Sequence, residues 1–166
     1  VSDKTIGQRP GLKLVPGARQ DQAGIAAGTV VMTADGALPV DFLEPGDRVI
    51  TRAGLRVLRA VHQHRYSGPA IRIGEGALGH GRPDQVLVLP AHAPVLVRGG
   101  RAAGLRGQKC SVMPVADLVD GAGIAPTEVA RMRLYDLRFD APEIVYAEGL
   151  EIACRAVGDA RRLAAE

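Results

Sequence analysis

From Gly24 onward the apolar residues fall in short runs, each broken by turn-forming residues. Thr29–Thr33 (TVVMT) is β-branched and predicts a strand. Ala34-Asp35-Gly36 predicts a turn, and Ala37-Leu38-Pro39-Val40 continues extended. Glu44-Pro45-Gly46-Asp47 places Pro and then Gly at the central positions, which predicts a type II turn. Arg48–Thr51 is the next strand. Leu55–Tyr66 reads as a long one whose alternation slips near Leu58, predicting a bulge or bend. Ala70–Ile73, Val86–Leu89 and Pro94–Val97 follow, with a Gly-rich loop over 74–85 and a basic loop over 98–107. Val112–Val119 predicts a few helical turns. Glu128–Asp140 and Glu143–Ala147 predict a hairpin. Only Ala153–Ala165 reads as a convincing helix. The expectation is about eight to ten strands in an all-β, sandwich- or barrel-like body with a short C-terminal helix. No internal repeat interrupts this order.

Residues 1–23 are polar, rich in Gly and Pro, and without periodicity, so they read as an extended arm or linker. The β domain then spans 24–150 and the helical tail 151–166. A length of 166 residues suits one such domain. Gly (21) and Pro (11) explain why no long helix is predicted. No apolar run approaches the ~18 residues of a membrane span, and no signal peptide opens the chain. A first residue of Val suggests a processed product or a fragment. The absence of Trp, with three Tyr and two Phe, argues against a base-stacking nucleic-acid platform.

The net charge of +3 conceals an uneven distribution. Between Asp47 and Glu75 there is no acidic residue, while Arg48, Arg52, Arg56, Arg59, Arg65 and Arg72 occur. A second acid-free stretch, between Asp84 and Asp117, carries Arg98, Arg101, Arg106 and Lys109. Brought together, these would form a basic face for an acidic protein or polymer, with Arg56, Arg59 and Arg65 as its binding residues. The plainer alternative is a solvated sheet surface whose carboxylates come from other strands.

Candidate chemistry is sparse. His62 and His64 share a strand face and could supply two imidazoles to a metal, but no third ligand lies nearby in sequence. As surface histidines they need no metal, and none is assigned; no cofactor is expected either. His80 sits in the Gly-rich loop and is expected to be exposed. His92, in Leu89-Pro90-Ala91-His92-Ala93-Pro94-Val95-Leu96, stands between apolar runs, as a buried hydrogen-bonded histidine or one placed for proton transfer. Cys110 and Cys154 allow one disulfide or two buried thiols, the latter being the default. Lys109 beside Cys110 would favour its thiolate, but nothing in the sequence brings Cys110 to His92. There is no Gly-x-Ser-x-Gly elbow, phosphate loop or His-Glu-x-x-His helix.

Read together, Gly24-Ile25-Ala26-Ala27-Gly28-Thr29-Val30-Val31, Asp35-Gly36 and Leu43-Glu44-Pro45-Gly46-Asp47-Arg48-Val49 resemble the opening of a Hint (Hedgehog/intein) domain of the bacterial branch. Leu89–Leu96 resembles the segment that holds that family's catalytic histidine. Tyr135-Asp136-Leu137, followed by Ile144–Leu150, resembles its late hairpin. The resemblance covers about 24–150 and implies a flattened, pseudo-two-fold horseshoe of bent strands. It also implies self-processing. A Cys or Ser at the first motif position attacks the preceding carbonyl, and a histidine protonates the departing amide nitrogen. The resulting ester or thioester is then cleaved by a second nucleophile.

The sequence departs from that pattern where the chemistry starts. The nucleophile position falls on Gly24. The Thr or Ser expected three residues before the histidine is Leu89. A later histidine falls at Pro142, and no terminal His-Asn pair follows Gly149. Only His92 matches. The expectation is a degenerate member with His92 as a vestigial general acid, now a buried structural side chain. It would serve as a folded module of a larger or secreted protein; its compartment stays open between bacterial cytoplasm and exterior. Two rivals stay open. One is active autoprocessing with Cys110, Thr29 or an external thiol as substitute nucleophile. The other is the arginine-face binding module.

Overall fold

A computed structural model describes residues 24–98 and 110–158. Twelve strands run through them: β1 (Ile25–Ala26), β2 (Val30–Thr33), β3 (Gly36–Pro39), β4 (Arg48–Thr51), β5 (Gly54–Val57), β6 (Ala60–Ile73), β7 (Leu87–Pro90), β8 (Pro94–Arg98), β9 (Cys110–Pro114), β10 (Ile124–Phe139), β11 (Glu143–Ala147) and β12 (Leu150–Ala156). They join in one sheet with the path β3-β2-β4-β11-β12-β10-β6-β7; β1 is added beside β10, β5 beside β4, and β8 with β9 beside β12. Nearly every neighbouring pair is antiparallel. The exception is β12 on β10, where Arg138 faces Arg155 and Phe139 faces Ala156.

Most turns form as the sequence predicts, but the hairpin expected between Glu128–Asp140 and Glu143–Ala147 does not: β11 turns back onto β12, with Ala147 opposite Leu150, and β10 meets β12 in parallel instead. At Glu44–Asp47 the Asp47 N–H donates to the Glu44 carbonyl (3.1 Å) while Gly46 takes a φ of +102°, which only glycine adopts at low cost. The expected slip near Leu58 is the junction between β5 and β6, where Leu58 is fully buried and its N–H donates to Asp47. The split expected between Tyr66 and Ala70 does not occur. β6 is continuous through Gly68 because β10 pairs along its whole length, from Ala60 opposite Arg138 to Ile73 opposite Ile124. The mismatch is absorbed on β10 instead, as a bulge between Val129 and Met132.

Two helical expectations are corrected. Over 112–119 the chain forms the end of β9 and a single 3-10 turn, Val115–Leu118. Over 153–156 it is the end of β12, not the start of a helix; residues 159–166 lie outside the described residues. Ala, Arg and Leu favour a helix locally, but tertiary pairing overrides that preference. Ile152 is sandwiched between Val145 of β11 and Val95 of β8. Glu151, spaced from Arg155 as a helical ion pair would be, instead accepts two bonds from Arg98 of β8, and Arg155 reaches Asp136 of β10.

The core lies where the sheet curls on itself. Phe139, Leu137, Ile124, Ile73, Met113 and Val145 are its centre. Residues 134–139 are all buried, so β10 shows no in–out alternation at this end. Two charged residues are carried inside with them. Asp136 accepts from Arg138 Nε (3.0 Å) and Nη2 (2.7 Å), and from Arg155 Nη2 (3.4 Å). Arg138 Nη1 also donates to the Ala156 carbonyl (3.1 Å). Removing one member of such a cluster strands the remaining charges in a dry interior. Asp136→Ala is therefore expected to cost about 3–5 kcal/mol, read as a lower urea midpoint; a loss below about 1 kcal/mol would show that the cluster does not hold the fold.

Candidate functional site

Gly24 leads into β1, whose Ile25 and Ala26 pair with Tyr135 and Leu134 of β10. The Ala27 N–H extends that pairing to the Arg133 carbonyl (3.0 Å). Gly24 is half-buried with a φ of +128°. A Cβ placed there would stand 3.1 Å from Leu134 Cβ and 3.2 Å from both the carbonyl carbon and oxygen of Tyr135. Position 24 thus carries no side chain, and one placed there would be tight against Leu134 and the Tyr135 carbonyl.

His92 occupies the turn between β7 and β8. That turn is tied on several sides: the Ala91 N–H donates to Pro69, the Ala93 N–H to Pro90, and the Ala91 and Ala93 carbonyls accept from Ala116 and Val115. The imidazole is half-buried and its Nδ1 is shielded from solvent. β7 also packs against β1, so the strand that leads into the histidine turn lies beside the strand that Gly24 opens. Leu89 is buried in the core, where a hydroxyl would have no apolar role.

The thiols are placed elsewhere. Cys110 opens β9 opposite Arg98, at the end of β8 away from the His92 turn. Four strand steps separate Arg98 from Pro94, roughly 13 Å. The Cys110 sulfur accepts from Arg52 Nη1 at 3.7 Å. Cys154 is buried on β12, and both cysteines are free thiols. Burial, reinforced by the Asp136 charge, pushes the Cys154 thiol well above its ordinary range, so it stays protonated and unreactive. Thr29 is buried behind β1 and lines an open cleft with Ala26, Ala27, Leu87, Met132 and Glu148. The Glu148 carboxylate is spent on the Val30 N–H (3.0 Å).

With this geometry in place the comparisons are decisive for the family. Residues 23–155 match the Hint domain. This chain belongs to the Hint domain family. None of the curated proteins matches the sequence. Among solved structures, the bacterial intein-like domain from Clostridium thermocellum is similar at 14% identity and a TM-score of 0.54, covering 80% of this chain and 98% of that one. The MchDnaB-1 intein is similar at 15% identity and a TM-score of 0.52, covering 79% of this chain and 99% of that one. At such identity the likeness establishes the fold.

The other sequence candidates fall into place around this Hint domain. His62 is exposed on β6 opposite Asp136, and His64 is half-buried opposite Leu134. Among the described residues no cluster of three potential ligands forms around them. His80 is exposed, with a left-handed φ of +55°. Arg56 reaches the buried Glu143 (3.4 Å), and Arg59 makes a two-pronged bond to Asp140 (3.1 Å each). Arg65 stands exposed on β6, opposite Arg133. Arg101, Arg106 and Lys109 lie outside the described residues. No helix among the described residues is long and apolar enough to cross a membrane.

Sequence reasoning missed the buried Asp136 cluster. Its signal was present: Asp136 and Arg138 alternate within an otherwise apolar strand, where lone charges have to find partners. At Gly24 the backbone makes a sharp prediction. Gly24→Ala and Gly24→Cys should each destabilise the domain by about 1–3 kcal/mol, since φ must leave a region open only to glycine. Chemical denaturation reads the loss; an unchanged midpoint would mean the site still has room for a side chain.

Proposed function

We propose that this Hint domain has lost self-processing and serves as a folded module of a larger protein. The observation that carries the reading is Gly24. The reaction of the family starts with a sulfur or oxygen atom at that position, and glycine supplies neither. Removing a general acid from such a reaction slows it by about 10²–10⁴. Removing the nucleophile takes away the covalent intermediate, and the barrier to direct amide hydrolysis remains.

The surroundings of the site support the same reading. A restored side chain at position 24 would press on Leu134 and the Tyr135 carbonyl. Cys154 is buried and held protonated, and Cys110 lies at the far end of β8. His92 keeps its place because its turn is tied by backbone bonds to Pro69, Val115 and Ala116, whether or not it transfers a proton. In this role His92 is a structural residue of the β7–β8 turn.

The test uses the chain with a reporter domain fused before Val1, incubated with and without dithiothreitol. The expected result is an intact band under both conditions, unchanged in His92→Ala. Cleavage between Ala23 and Gly24 that disappears in His92→Ala would overturn the proposal. It would assign the reaction to a substitute nucleophile at Thr29, Cys110 or the added thiol.

A further inference from the structure

We propose that the β6–β10 ribbon carries a docking site for an extended acidic peptide segment, formed by Arg65, Arg131 and Arg133. The three guanidinium-bearing residues are exposed and sit within one short stretch of two paired strands. Arg65 and Arg133 are direct cross-strand partners. Like charges directly opposite one another repel, their Cβ atoms being about 4.5–5.5 Å apart. Arg131 sits in the bulge between Val129 and Met132, with a φ of +56°, a conformation that costs a non-glycine residue energy. Its N–H is held there by Ser67 Oγ (2.9 Å). A bulge re-aims the side chain it carries, and this one lies two residues from Arg133 on the same strand.

Both costs are left uncompensated among the described residues, where no ion pair involves these three arginines. Two other arginines of the acid-free stretch that holds Arg65 are matched internally, Arg56 by Glu143 and Arg59 by Asp140. Along β10 toward the site, the carboxylate of Asp41 is taken by the Gly28 N–H and the Tyr135 hydroxyl. Glu128, beyond the bulge, faces Pro69 on the neighbouring strand. Around the bulge the ribbon therefore gathers three positive charges with no ion-pair partner among the described residues, and the complementary ligand is negative.

An extended acidic segment fits better than nucleic acid. Carboxylates at alternate residues of an extended peptide lie about 7 Å apart, within reach of three long guanidinium side chains that start from neighbouring positions on two paired strands. Each guanidinium offers a planar fork that matches one carboxylate. The aromatic residues of this ribbon, Tyr66, Tyr135 and Phe139, are buried and cannot stack on bases.

The experiment is a fluorescence anisotropy titration of the full chain with a fluorescein-labelled oligoglutamate peptide, with a duplex DNA of equal charge in parallel. The expected result is saturable peptide binding at low salt that weakens as salt is added. It should fall at least about ten-fold in the Arg65→Gln/Arg133→Gln variant and stay unchanged in Arg59→Gln. The double variant should melt no lower than the parent at low salt, because a repulsion has been removed; this separates lost binding from lost folding. No peptide binding at low salt, or equal binding by the double variant, would overturn the proposal. So would tighter binding of the duplex than of the peptide with the same sensitivity to the variant.

Discussion

A buried carboxylate joins the two halves of this sheet. Asp136 lies on β10 and bonds both Arg138 of its own strand and Arg155 of β12. The β10–β12 contact is the one parallel pairing among the described strands, and it is short. Two residue pairs of ladder contribute little by themselves. The ion cluster adds directional bonds where the ladder is thinnest. The Ala156 carbonyl also accepts from Arg138 Nη1 (3.1 Å), which adds a further bond to the cluster. Such a cluster is costly to assemble and far costlier to break, so it fixes the register of everything that pairs with β10.

β1 is one of those dependents. Its register on Tyr135 and Leu134 places Gly24 against the residues that flank Asp136. In the proposed reading, the strand that positions the start of the domain also crowds position 24, where a Cβ would lie 3.1 Å from Leu134 Cβ and 3.2 Å from the Tyr135 carbonyl. The β7–β8 turn that carries His92 is held through main-chain bonds to Pro69, Val115 and Ala116.

Much of this was legible in the residues. Short β-branched runs between Gly, Pro and Asp turns located most strands, because a strand at a sheet surface alternates and a turn demands particular φ values. The empty nucleophile position was legible too, since it is a matter of composition at one site. The errors have a common origin in non-local pairing. Leu150–Ala156 has the local preferences of a helix, yet its fate is decided by Arg98, Val145 and Asp136, all distant in sequence. The acid-free arginine stretch leaves two readings open, a basic face or a surface whose carboxylates come from other strands. Folding brings Asp140 and Glu143 to Arg59 and Arg56, as the second reading has it, and sets Arg65 opposite Arg133 of β10. No linear charge count shows which arginines will be matched.

The central claim is that no acyl intermediate forms at the Ala23–Gly24 bond. Hydroxylamine traps such an intermediate by converting the acyl group to a hydroxamate, so intact-mass spectrometry of the reporter-fused chain after hydroxylamine treatment measures it directly. The account predicts one species with the mass of the uncleaved polypeptide. A reporter fragment ending in an Ala23 hydroxamate would contradict it.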